Sequence, residues 1–133
     1  EVNKIIQKLE FLQKKNEIPI EEIKEIIAFS DGSPGKYLTN LQYWLEISSA
    51  LRQKLQIKLT NKIDILKLAK EITDELNIEQ QLWLINFQQN IFWERENNST
   101  MVKKLEELRK QLLTYVQPRL AWEVTLLEIN FSD

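Results

Sequence analysis

"FSDGSPGKYL", residues 29–38, holds both glycines of the chain and one of its three prolines within positions 32–35. A chain so sparing of Gly and Pro has concentrated its backbone freedom in one place, and the flanking residues say what for. Behind Pro19, which suits a first helical turn, Ile23, Ile26 and Ile27 recur at helical spacing. Asp31-Gly32 then stops that helix, with Gly32 as the expected left-handed residue just past its end. Ser33 is a good N-cap and Pro34 a good first-turn residue for a second helix. That helix is expected to turn Leu38, Leu41, Trp44 and Leu45 inward. The stretch reads as a sharp corner between two helices.

The same three- and four-residue apolar spacing runs outward in both directions. Upstream, Val2, Ile5, Ile6, Leu9 and Leu12 form one stripe. Downstream, Thr60 or Asn61 can cap a helix carrying Ile65, Leu66, Ala69, Ile72 and Leu76, and Asn77 is expected to end it. "QQLWLINFQQNIFWERE", residues 80–96, is helical and apolar nearly all round. "NNS", 97–99, breaks and recaps the chain before a stripe of Met101, Val102, Leu105, Leu108, Leu112 and Val116. Pro118 forces a new start, and "PRLAWEVTLLEI" forms the final helix. The pattern predicts an all-α chain of about eight helices. Strand-like alternation, heptad arrays, tandem repeats and low-complexity tracts are absent.

Composition narrows the chemistry. Of 133 residues, 43% are hydrophobic and 29% charged, an ordinary globular balance. The net charge of −2 and the lack of a Lys/Arg run give no footprint for direct nucleic-acid binding. There is no Cys and no His, which removes thiol nucleophiles, disulfides, imidazole bases and the usual zinc ligands. No cofactor or metal site is legible. Carboxylates remain for catalysis, but they fall on polar helix faces beside Lys or Arg, so no enzyme activity is expected. No membrane span or signal peptide is legible, and a cytoplasmic location is expected. The first residue is Glu1 and not Met, so a longer parent chain is expected.

Three segments together carry a resemblance. "IIAFSDGSPGKYL", 26–38, looks like the end of the lid in AAA+ clamp-loader subunits. "YVQPRLAWEVTLLEI", 115–129, looks like their terminal collar helix, which opens on an Asn- or Gln-Pro-Arg-Leu segment. Between them "AKEITDELNIEQQLWLINFQQNIFW", 69–93, resembles the middle of that collar. In this order they resemble the delta-prime subunits of the bacterial DNA polymerase III clamp loader, in their cyanobacterial branch.

The resemblance implies a short three-helix lid over residues 1–49 and a roughly five-helix collar over 50–133. It implies a non-catalytic role in assembling the pentameric loader that places a sliding clamp on primed DNA. The implied partners are the delta subunit and the ATPase subunits, with DNA met only through the assembled complex. No phosphate-binding loop occurs in the chain. Active loader ATPases carry a Gly-x-x-Arg sensor-2 pattern at the lid helix; aligned on Gly32, the Arg position here is Gly35. Lys36 lies about 100° further round the helix. Gly32, Ser33, Pro34 and Gly35 would then be a degenerate sensor corner, or simply a tight, closely packed helix start.

Other features divide in the same way. Trp83, Phe87, Phe92 and Trp93 belong either to a helix buried at a bundle's centre or to one with a face against a neighbouring subunit. Within "KKLEELRKQ", 103–111, Glu106 with Lys110 and Lys103 with Glu107 are the expected ion pairs. Arg119, just after Pro118, sits in a first turn where the helix dipole disfavours a cation, which implies a specific carbonyl or carboxylate acceptor. The final helix carries Leu120, Val124 and Leu127 on one stripe, with Trp122, Leu126 and Ile129 round from it. That surplus, under the resemblance, marks a subunit interface of Trp83, Phe87, Trp93, Pro118, Arg119, Trp122 and Leu126, with Trp122 at its centre. A free-standing helical adaptor that binds other proteins is the alternative reading.

Overall fold

A computed structural model describes residues 19–114 and 117–131. The Val2–Leu12 stripe, and Val116, lie outside the described residues. Seven helices account for nearly everything else: α1 Ile20–Phe29, α2 Pro34–Glu46, α3 Ser49–Gln56, α4 Lys62–Glu75, α5 Ile78–Glu96, α6 Ser99–Leu112 and α7 Pro118–Phe131. No strand occurs among the described residues, and the fold is all-α. Helix α3 is one that the apolar spacing did not single out. The chain divides into two compact units, with the break between Glu46 and Ile47.

In the first unit, the corner forms as a chain of local hydrogen bonds. The Ser30 hydroxyl, fully buried, donates to the Ile26 carbonyl at 2.6 Å and accepts from the Asn40 amide of α2 at 3.0 Å. One hydroxyl thus closes α1 and ties it to α2. Asp31, at φ 49°, is the first left-handed residue, and Gly32 follows at φ 74°. The left-handed position expected for Gly32 alone is therefore a pair; Asp is among the few side chains that enter this region at modest cost. Ser33 then caps α2, accepting from the Lys36 N–H at 3.3 Å. A Cβ built on Gly35 meets nothing within 4 Å. Among the described residues, then, Gly35 has open space where a side chain would go, and the close packing expected there is not seen.

Helix α2 buries Tyr37, Leu41 and Trp44, one stripe at i, i+4 and i+7. Leu38 and Leu45 are only half-buried. The stripe is turned by one residue from the expected one because the Tyr37 ring is the larger apolar body. Its burial pushes the Tyr37 hydroxyl pKa up. In α1, Ile26 is fully buried, whereas Ile27 is exposed.

The second unit is built from the capping chemistry outward. Ser48 caps α3 by accepting from the Leu51 N–H at 3.2 Å, and its own N–H donates to Glu75 of α4 at 2.8 Å. Lys54 of α3 pairs with Glu71 of α4 at 2.6 Å. Asn61, not Thr60, caps α4 through the Ile63 N–H at 2.8 Å. Helix α4 buries Ile65, Leu68, Ala69 and Ile72, with Leu76 just past its end; Leu66, expected inward, is exposed, and Leu68 takes its place. Asn77 opens α5 instead of ending α4: its side chain accepts from the Gln80 N–H while Gln80 reaches back to the Asn77 N–H, both at 2.8 Å. This reciprocal capping box satisfies two donors that helix ends otherwise leave without partners. Asn97, at φ 48°, ends α5, and Asn98 caps α6 through the Met101 N–H at 3.1 Å.

Helix α7 packs against both α4 and α6, and α6 packs against α5. The core of this bundle holds Ile65, Ile72, Leu84, Ile85, Leu105, Leu108, Ala121 and Trp122.

Candidate subunit interface

The centre of the bundle is decided by one amide. Gln81 of α5, 2% exposed, accepts from the Trp122 indole N–H of α7 at 2.9 Å. Its amide donates to the Leu76 carbonyl, just past α4, also at 2.9 Å. Three helices are thus joined through a single side chain, and both ends of that side chain are satisfied. Unpaired, each buried polar group would cost about 1–3 kcal/mol. The Trp122 ring is 0% exposed and Leu126 4% exposed. Their surface is used up inside the chain, so neither offers area to a partner. The expected interface centre at Trp122 is therefore corrected: it is a core residue with a specific hydrogen bond.

Trp83 and Phe87, stacked with ring centroids 5.2 Å apart, are likewise buried at 8% and 2% exposure. Of the aromatics expected at an interface, Trp93 alone is exposed, at 52%. Pro118 is half-buried at the start of α7. Arg119 finds its acceptor one turn along its own helix, Glu123 at 3.2 Å. The pair is partly exposed and in the weaker of the two helical orders, so it contributes little.

What the structure leaves outside is the other stripe of α7. At 100° per residue, Leu120, Val124, Leu127 and Phe131 fall within a roughly 60° arc. Trp122, Thr125, Leu126 and Ile129 occupy the opposite side. Leu120 is 53% exposed, Val124 46% and Phe131 45%, and Leu127 is half-buried. Spacing alone had separated these two stripes; it could not say which one the bundle would take. The signal available was size. The stripe with the tryptophan fills more core volume and brings the N–H that matches Gln81.

The α5–α6 contact is closed by a polar cluster. Arg109 donates to Glu106 at 3.0 Å, to Gln89 at 2.6 Å and to Asn86. Gln89 in turn donates to Glu106 at 3.2 Å and to the Val102 carbonyl at 3.1 Å. The expected partnering is corrected here: Glu106 pairs with Arg109, and Glu107 with Lys110, at i, i+3. The hydrogen bond from Gln89, then that from Arg109, holds the Glu106 carboxyl below its usual range.

No group of His, Asp, Glu or Cys that could hold a metal occurs among the described residues. No described helix is long and apolar enough to cross a membrane. A family model described as the cyanobacterial DNA polymerase III delta prime, C-terminal domain, matches residues 3–129. The chain belongs to this family. No curated protein and no solved structure matches it. The match spans both compact units of the delta prime C-terminal domain, so the break at Glu46 and Ile47 lies inside the family's unit of sequence.

Proposed function

We propose that this chain is the assembly end of a delta-prime subunit, holding that subunit in a clamp loader through its helical second unit. The observation that carries this reading is the family match over residues 3–129, joined to an α7 that is apolar on two opposite sides. A helix serving one core needs one apolar stripe. A second, outward stripe on a soluble bundle suits burial against another chain. In this reading residues 1–49 correspond to the lid of an ATPase-like module and 50–133 to the collar, and the neighbours are the other loader subunits. The role is structural in this reading: Gly35, at the sensor position, offers no side chain to a phosphate, and Lys36 lies about 100° further round the helix.

The reading is tested by assembly. In the full chain, Leu120→Gln with Val124→Gln is mixed with the other loader subunits, after thermal melting has shown the fold intact. Removal of interface anchors costs about 2 kcal/mol or more, roughly thirtyfold in affinity. Assembly equal to the parent's would remove α7's outer face from the interface. Titration with Mg-ATP is expected to show no heat of binding, and a micromolar dissociation constant would contradict the structural role.

A further inference from the structure

At the C-terminal end of the outward stripe the surface changes character. A shallow depression there is lined by Leu127, Glu128 and Phe131 of α7, Lys62 of α4 and Lys104 of α6. Leu127 and Phe131 belong both to the stripe and to the depression, so the two are continuous. Lys62 lies 5.9 Å from the Phe131 ring centroid, at the far limit of a cation–π contact. Neither Lys62 nor Lys104 has a carboxylate within ion-pair distance among the described residues. Two lysines from different helices therefore line the depression at the end of the apolar strip, against one carboxylate among the described residues, Glu128.

We infer that this surface receives an amphipathic helix whose apolar stripe lies along Leu120, Val124, Leu127 and Phe131 and whose flanking Asp or Glu residues meet Lys62 and Lys104. The inference rests on the assembly reading above and names the chemistry of the partner. An apolar strip that ends beside two cations selects a helix with acidic residues at that end, because a basic partner would bury like charges against one another. A second copy of this chain fits poorly. In a two-fold pairing along α7, the Lys62–Lys104 end would face the Arg119–Glu123 end, where the carboxylate is already paired with its own arginine.

The test uses the full chain and the other loader subunits, with affinity measured at two salt concentrations. Lys62→Glu with Lys104→Glu is expected to weaken assembly at least tenfold at low salt, with the loss shrinking as salt rises. Lys62→Gln with Lys104→Gln is expected to lose less and to flatten the salt dependence. Unchanged affinity in both lysine variants, while Leu120→Gln with Val124→Gln disrupts assembly, would overturn the acidic partner and leave the interface standing. Unchanged affinity in the leucine–valine variant would overturn the interface itself. Self-association of the isolated chain, lost in the leucine–valine variant, would put a second copy on the surface and overturn the inference.

Discussion

Helices α5 and α7 begin from the same surplus and dispose of it differently. Each carries more apolar residues than one core stripe requires. In the first half of α5 both sets end up inside, Gln81, Leu84 and Ile85 in one and Trp83 and Phe87 in the other, while Trp93 nearer its end stays exposed. In α7 the Trp122 side is buried and the Leu120 side faces solvent. Apolar supply along a helix therefore does not mark an interface. The distinction lies in how many sides the helix's own chain covers. Aromatic content misleads for the same reason: large rings are the best fillers of a core as well as the best anchors of an interface.

The contrast can be broken most forcefully at Trp122. Trp122→Ala removes a fully buried ring and leaves the Gln81 carbonyl without its donor, so a loss of about 3–5 kcal/mol is expected in urea unfolding. A loss below about 1 kcal/mol would put Trp122 on the surface and dissolve the difference between the two sides of α7.

Gln81→Leu comes next. It keeps the apolar bulk of the α5 stripe but strands the Trp122 N–H and the Leu76 carbonyl, for an expected cost of about 1–3 kcal/mol. Trp122→Phe in the Gln81→Leu background sharpens the point, because the second change removes the stranded N–H. The double variant should lose less than the sum of the two single changes. Strict additivity would mean that the hydrogen bond contributes nothing.

A smaller effect belongs to the polar cluster between α5 and α6. The folded chain lowers the Glu106 pKa, so this carboxylate adds stability at pH above its unfolded value, 4.5, and the contribution drains away as pH falls through the lower folded value. Glu106 is 45% exposed and its pairing is screened by solvent, so the expected effect is slight. Melting temperatures of the parent and of Glu106→Gln should converge as the solution is acidified from neutral toward pH about 3. A gap that stayed constant across that range would mean that the carboxylate's charge plays no part.

The smallest expected change is on the outer face of α7. Leu120→Gln with Val124→Gln should alter the stability of the isolated chain by no more than about 0.5 kcal/mol at each site, since Gln keeps good helix propensity and no core is touched. A loss of several kcal/mol would show that this face is covered within the chain, which would make α7 the equal of α5.

Much of this fold was legible residue by residue, where the signal is local. Ser33, Asn61 and Asn98 act as N-caps because a short polar side chain can reach an N–H two or three residues on whatever the rest of the chain does. The Gly-Pro corner and the break at Asn97 are likewise local. Where local signals compete, the reading faltered. Asn77 can follow one helix or open the next, and Gln80 three residues on tips it toward opening. Helix α3 has few apolar positions of its own, with Leu51 buried; the hydrogen bonds that tie it to α4 run from Ser48 and Lys54 to Glu75 and Glu71, contacts that periodicity does not register.

What the sequence determined by itself was the all-α class, most of the helix starts, the want of thiol and imidazole chemistry, and the existence of two separate apolar stripes on α7. These follow from spacing, composition and caps, which act over a few residues. Which stripe faces inward was decided only by tertiary packing. Leu120 and Leu126 are the same residue type on one helix, and they differ only in what lies across from them. Trp122 fills the space beside α4 and α6 and satisfies Gln81, joining residues 41 positions apart. Closing so distant a contact is favourable only when shape and hydrogen bonding match together, and that match belongs to the assembled bundle.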